Sequence, residues 1–421
     1  MTTILRRHRN FRLLWIGETT SVVGTSVTTV VAPLIAVTRL HAGPFVVTLI
    51  AAATWLPWLL FGLGAGPLVD AVRRRRLMIG CDVASMLLFA SIPVAAAFHV
   101  LTVAQLLTVA FGAGCVSVLF STSYGRILVD LVEEPDDRAE ANGLLQGSAS
   151  AARIVGIGLG GVLVTLFGAA TSLVADSLSF LVSGVCLAMI VHHEPKQPAD
   201  TGRLGLLHQI REGVGFSFGD PLMRPMVLFG GTANLALVGY QALLVVFLLE
   251  DVRLSAGTIG LLLALVSCGG VAGAFTGNSL ARRFGSGRAL LWSKVGACPC
   301  ALLIPLASHG VRAALVVLGG LGVGYGIVAG NVISSSFFQA YTPRELLART
   351  SATQNVFNYG TMPLGAVLAG GVASMIGIRG AMWAMTALLP VAALLLVFSP
   401  LRGMRTLPTE TAVLTEHSPR V

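Results

Sequence analysis

Apolar residues gather in twelve runs, at 11–38, 45–68, 77–98, 101–123, 142–167, 170–191, 222–248, 255–278, 289–309, 312–337, 351–376 and 379–399. Each approaches or exceeds the roughly 20 helical residues that cross a hydrocarbon core about 30 Å thick. The pattern predicts an all-α membrane protein with twelve transmembrane helices. An even number of spans puts both termini on one side, and the polar segments between the runs decide which side. Arg6, Arg7, Arg9 and Arg12, Arg73 to Arg76, Arg126 and Arg138, Lys196 to Arg224, Arg282 to Lys294, Arg344 and Arg349, and the basic residues of the tail share one side. Only Arg39, Arg253, Arg312 and Arg379 fall on the other, and Arg153 lies within the fifth run. Positive charge in short loops stays in the cytoplasm. Both termini are therefore predicted cytoplasmic, in a multi-pass protein of the cell's inner or plasma membrane.

The longest connection, 192–221, is polar and carries Pro195, Pro198 and Pro221. Its second part spaces apolar residues as a surface-lying amphipathic helix does. The expected organisation is an N-terminal six-helix bundle (1–193), a cytoplasmic linker with an amphipathic helix (194–221), a second six-helix bundle (222–400) and a disordered cytoplasmic tail (401–421). The halves repeat at an offset of about 210 residues. Gly66 to Arg76 lies between runs two and three as Gly277 to Arg288 lies between runs eight and nine. Pro135-Asp-Asp-Arg138 returns as Pro343-Arg-Glu, and Gly156, Gly160 and Gly161 return as Gly365, Gly370 and Gly371. Parallel repeats of this kind occur in transporters that bind substrate near the membrane midplane.

Gly66, Leu68, Asp70, Arg74 and Arg75 resemble the signature loop of the major facilitator superfamily, with Ala71 and Arg73 replacing its usual Arg and Gly. The resemblance implies two pseudo-symmetric six-helix bundles, alternating access, and a gating role for Gly66, Asp70, Arg74 and Arg75. Topology alone accounts for the arginines; Asp70 is the residue it does not need. Ser123 to Val132, Arg138 to Gly143 and Asp176 to Ser183 resemble the branch that contains the enterobactin exporter and macrolide-efflux permeases. That branch implies export of a bulky, partly apolar compound by proton antiport. Ala152, Gly156, Ile157, Gly160 and Gly161 match a degenerate antiporter motif that lacks its proline here. Close helix packing explains the same glycines. Thr108 stands where the superfamily carries an arginine in span four.

Composition narrows the classes further. With 55% hydrophobic and 11% charged residues, the chain is far from soluble usage. Its net charge of +9 is spread over short loops rather than one basic patch, so nucleic acid is not expected as a partner. The six cysteines lie in apolar runs without zinc-ligand spacing and read as packing residues. His192-His193-Glu194 lacks a metal-binding pattern, and no phosphate-binding Gly-x-x-x-x-Gly-Lys loop appears. No metal, cofactor or enzymatic activity is predicted. The expected partners are a small-molecule substrate, protons and the lipid bilayer, around a monomer.

Ionisable groups at membrane depth require a partner or a wet cavity. Glu18, Asp82, Arg153 and Asp176 qualify. Asp82 is assigned to the headgroup region and Asp176 to local capping. Glu18 heads a stripe of Ser21, Thr25 and Thr28 on one helical face, assigned to the cavity, with plain helix packing as the rival. Arg153 is its expected buried partner, making Glu18 and Arg153 the proton-coupling pair. A carboxylate switched between paired and unpaired settings can take a proton on one side and release it on the other. Thr25, Phe111, Asn234, Tyr240, Gln241, Tyr325 and Asn331 are the candidate substrate-binding residues. The reading is a proton-coupled exporter of a small amphipathic molecule. Its rivals are a nutrient importer and a transport-inactive membrane sensor.

Overall fold

The computed structural model describes residues 3–62, 69, 72–132, 134–191 and 206–408. Regular structure among the described residues is helical throughout. A single turn, Thr3–Arg7, precedes α1 (Arg9–Thr38), α2 (Pro44–Phe61), α3 (Arg74–Ala97), α4 (Val103–Leu131), α5 (Pro135–Phe167) and α6 (Ala169–Met189). A connecting helix, Leu206–Gly219, leads to α7 (Met223–Val246), α8 (Ala256–Phe284), α9 (Ser286–Ala297), α10 (Ala314–Tyr341) and α11 (Arg344–Val397).

Among the described residues, ten helices are long and apolar enough to cross a membrane. The apolar run 289–309 forms α9 and then tightens into a 3-10 turn, Cys298–Leu303. The last two runs join in α11, whose course breaks at Gly377 (φ 80°, ψ 168°). The turn between α5 and α6 uses the same device, Gly168 at φ 85° and ψ 161°. Both turns need a left-handed backbone, which glycine adopts without a Cβ clash. They lie about 210 residues apart, so the repeat seen in the sequence extends to backbone conformation. Large apolar side chains such as Leu87, Val155, Leu166 and Phe275 stand exposed, as on a lipid-facing surface.

The chain falls into two compact units. Unit 1 comprises Met1–Thr201, Gln241–Ala264 and Ala366–Ile378; unit 2 comprises Gly202–Tyr240, Leu265–Gly365 and Arg379–Val421. In unit 1, α1 packs on α5 and α6, α3 on α4 and α6, and α2 on α4. Ile4, Leu5, Phe11 and Leu14 join Met78, Ile127 and Leu187 in a buried core. The Arg75 guanidinium donates to the backbone oxygens of Leu187 (2.9 Å) and Ala188, which the end of α6 leaves without helical donors.

In unit 2, α9 packs on α10. Asp220 ends the connection by accepting from the Leu222 and Met223 amides at 2.8 and 2.9 Å, and Tyr341 Oη donates to its other oxygen at 2.7 Å. The connecting helix is fastened to α11 by an Arg349–Glu212 ion pair and by Phe218 set edge-on to Phe357. Residues 401–408, expected in a disordered tail, hold to the start of α9: Leu401 is buried, and the Gly287 amide donates to Arg405 O at 3.1 Å.

Candidate functional site

The polar stripe of α1 divides among several partners. Thr25 is exposed and donates back to Ser21 O at 3.0 Å, the self-satisfying bond common to Thr in helices. Thr28 instead donates to the Asp176 carboxylate on α6. Ser179 supplies a second bond to that carboxylate at 3.3 Å, and Asp176 has no exposed surface. Gly24 makes the room, because a Cβ there would overlap Ser179 Oγ and Asp176 Oδ1. Asp176 therefore joins two helices, where helix capping or local structure was expected of it.

Glu18 is half-buried, and its carboxyl lies within electrostatic reach of Asp82 on α3, a repulsion between like charges when both are ionised. Asp82 is 2% exposed, so it belongs to the interior rather than the headgroup region assigned from its position after the arginines. Ser183 stands beside its carboxyl as a hydrogen-bonding neighbour, although Oδ2 itself makes no bond of ordinary geometry among the described residues. Arg153 has an exposed side chain, and no ion pair joins it to Glu18 among the described residues. The packing of α5 on α1 does bring their backbones close: a Cβ at Gly156 would overlap Val23 O and lie 2.7 Å from Ser26 Cβ. Gly365 sits as tightly against Leu235 of α7, repeating that approach in unit 2.

Unit 2 holds a half-open cavity of about 770 Å³ between α7, α9, α10 and α11. Asn234 and Asn331 line it, as do Gln339, Gln354 and Asn358. Met226, Phe229 and Phe338 supply apolar wall. Volume and mixed lining suit a drug-sized molecule. Of the remaining candidates in the second half of the chain, Tyr240 is buried in packing, Gln241, which belongs to unit 1, is exposed, and Tyr325 accepts from Thr276 Oγ1 at 3.1 Å; none lines the cavity. Phe111 is half-buried on α4, in unit 1 with Thr25.

Lys294 also lines this cavity, and its ammonium donates to Asn331 Oδ1 at 3.0 Å. The topology count treats it as one more cytoplasmic charge. The missed signal is its position inside the apolar run 289–309, in a chain whose only other lysine is Lys196. Of the expected gating residues, Arg74 and Arg75 are described, whereas Gly66 and Asp70 lie outside the described residues.

A family model described as transmembrane secretion effector matches residues 4–418. The chain is 25% identical over 395 residues to the multidrug efflux pump Tap of Mycolicibacterium fortuitum, covering 92% of this chain and 95% of that protein. It is 28% identical over 224 residues to the enterobactin exporter EntS of Salmonella choleraesuis, covering 52% of this chain and 50% of that one. Among solved structures, a mutant of the nucleoside transporter NupG superposes with a TM-score of 0.78 at 12% identity, covering 92% of this chain and 99% of that one. A bacterial homologue of the lysosomal transporter Spinster superposes at 0.71 with 16% identity, covering 94% and 97%. At such identities the superpositions speak for the fold alone.

Proposed function

Because this chain belongs to the transmembrane secretion effector family of the major facilitator superfamily, we propose that it exports a small amphipathic molecule in exchange for protons. The observation that carries this reading is the unit 2 cavity, whose polar and apolar walls match an amphipathic cargo. The relatives named as a multidrug efflux pump and an enterobactin exporter favour the outward direction. The protein is multi-pass. Its proposed arrangement is twelve crossings in two six-helix bundles, with α9 and its 3-10 turn as one crossing and α11 as two arms about Gly377. Cytoplasmic termini in the cell membrane, and a monomeric state, complete the proposal.

Glu18 is the proposed proton carrier, with Asp82 as the group it works against. Two acidic side chains that act on each other inside apolar spans make a site for a proton. Arg153 enters as a partner only in a second state in which α5 turns it toward Glu18. Asp70 and the arginines after it keep the proposed gating role.

Accumulation of fluorescent amphiphiles in intact cells tests the function. Cells expressing the protein should accumulate less dye than cells without it, and a proton uncoupler should erase the difference. Expression that raises accumulation would point to an importer. Expression without effect on a broad dye panel would point to the sensor.

A further inference from the structure

Among the described residues that line the unit 2 cavity, the one charged side chain is a cation. Lys294 is the single ionisable side chain among the described residues lining it, and the other polar groups there are amides and hydroxyls. An ammonium inside a membrane span is costly unless a partner compensates it. The usual partner is a carboxylate, and none lines this cavity among the described residues. Instead Lys294 Nζ gives one bond to the Asn331 amide oxygen and stands 5.0 Å from the centre of the Phe229 ring. An amide oxygen and a ring face are weak compensation for a full charge, and an ammonium has three donors.

The local packing holds this cation in place. Gly330, on the turn of α10 beside Asn331, lets the lysine stem lie against the helix. A Cβ there would stand 2.6 Å from Lys294 Cγ and 3.0 Å from its Cε. The stem is thus laid along α10 toward Asn331, and the apolar wall of Met226, Phe229 and Phe338 surrounds the same space. A fixed cation in a chamber walled in part by Met226, Phe229 and Phe338 is complementary to an amphiphile with one negative head and an aromatic or aliphatic body. A cationic amphiphile would meet an unscreened like charge.

We propose that the unit 2 cavity takes anionic amphiphiles, with Lys294 as the counter-charge of the head group and Asn331 positioning the ammonium. The substrate class is therefore carboxylates, sulfonates or phenolates carried on an apolar body. This deepens the export reading and rests on it for the word substrate, but binding is measured without transport.

The test uses three probes that differ only in the head: pyrenesulfonate, pyrenemethanol and pyrenemethylammonium. Each is equilibrated with the full chain in nanodiscs and, as a blank, with empty nanodiscs. Saturable binding should be strongest for pyrenesulfonate. Lys294→Gln should weaken it at least tenfold and lose its preference over pyrenemethanol, and Lys294→Arg should restore most of it. Asn331→Asp is the second variant: by giving the lysine an internal carboxylate, it should abolish sulfonate preference in a protein that still folds and binds pyrenemethanol. Equal binding of all three heads, no saturable pyrenesulfonate binding, or unchanged preference in Lys294→Gln and Asn331→Asp would each overturn the proposal. Sulfonate binding in a protein that exports nothing from cells would instead sink the export reading and leave the anion site standing.

Discussion

Asp176 in unit 1 and Lys294 in unit 2 are both charged residues placed inside apolar helices, and their surroundings differ in kind. Asp176 is fully enclosed, takes hydrogen bonds from Thr28 and Ser179, and faces a glycine that leaves no spare volume. Lys294 faces a cavity of about 770 Å³, and its ammonium makes one hydrogen bond among the described residues, to Asn331 Oδ1. A buried charge whose bonds are supplied from within acts as cement between helices. One left with unused donors beside an open chamber is set up for a ligand. Burial and charge alone do not separate these roles; the count of satisfied bonds and the adjoining volume do.

The same substitution made in both places sharpens the contrast most. Gly24→Ala drives a methyl group into the Asp176 contacts, which cannot retreat, and overpacking of this kind costs roughly 1–3 kcal/mol. A clear fall in the midpoint of thermal unfolding in detergent is expected, with little change in the relative affinities of the three pyrene probes. Gly330→Ala meets only the flexible stem of Lys294. Its unfolding midpoint should stay close to wild type while pyrenesulfonate binding falls severalfold. If both variants lose stability equally, the two sites are of one kind and the contrast fails.

A smaller effect is expected from the charge pair that fastens the connecting helix to α11. Arg349 and Glu212 are both partly exposed, and pairs of that sort are worth about 0.2–1 kcal/mol. Arg349→Gln should shift stability by no more than this, and the shift should shrink in high salt. A loss several times larger would mean that this surface pair is as integral to the fold as Asp176.

Much of the helical layout was legible because the signal is local. A run of apolar residues must be helical in a bilayer, where every backbone group needs an internal partner. Gly168 and Gly377 mark turns for the same reason, being residues that tolerate a left-handed backbone. Asn234 and Asn331 were also legible, as polar residues in otherwise apolar helices. What periodicity cannot supply is the identity of the facing helix. The stripe of Glu18, Ser21, Thr25 and Thr28 reads as one surface, yet Thr28 bonds to Asp176 on α6 while Thr25 bonds back to Ser21 O in its own helix. Lys294 was hidden for a different reason: counting charges by loop treats every cation near a span end alike, whichever way its side chain runs.

The central claim is a division of labour, in which acidic groups of unit 1 carry the proton and the cation of unit 2 holds the cargo. Proton movement in proteoliposomes on addition of pyrenesulfonate tests it most directly. Wild type should exchange protons for the probe. Glu18→Gln should bind the probe with near wild-type affinity and move no protons, whereas Lys294→Gln should fail at binding and regain exchange when the probe concentration is raised at least tenfold. Normal proton exchange by Glu18→Gln would contradict the account.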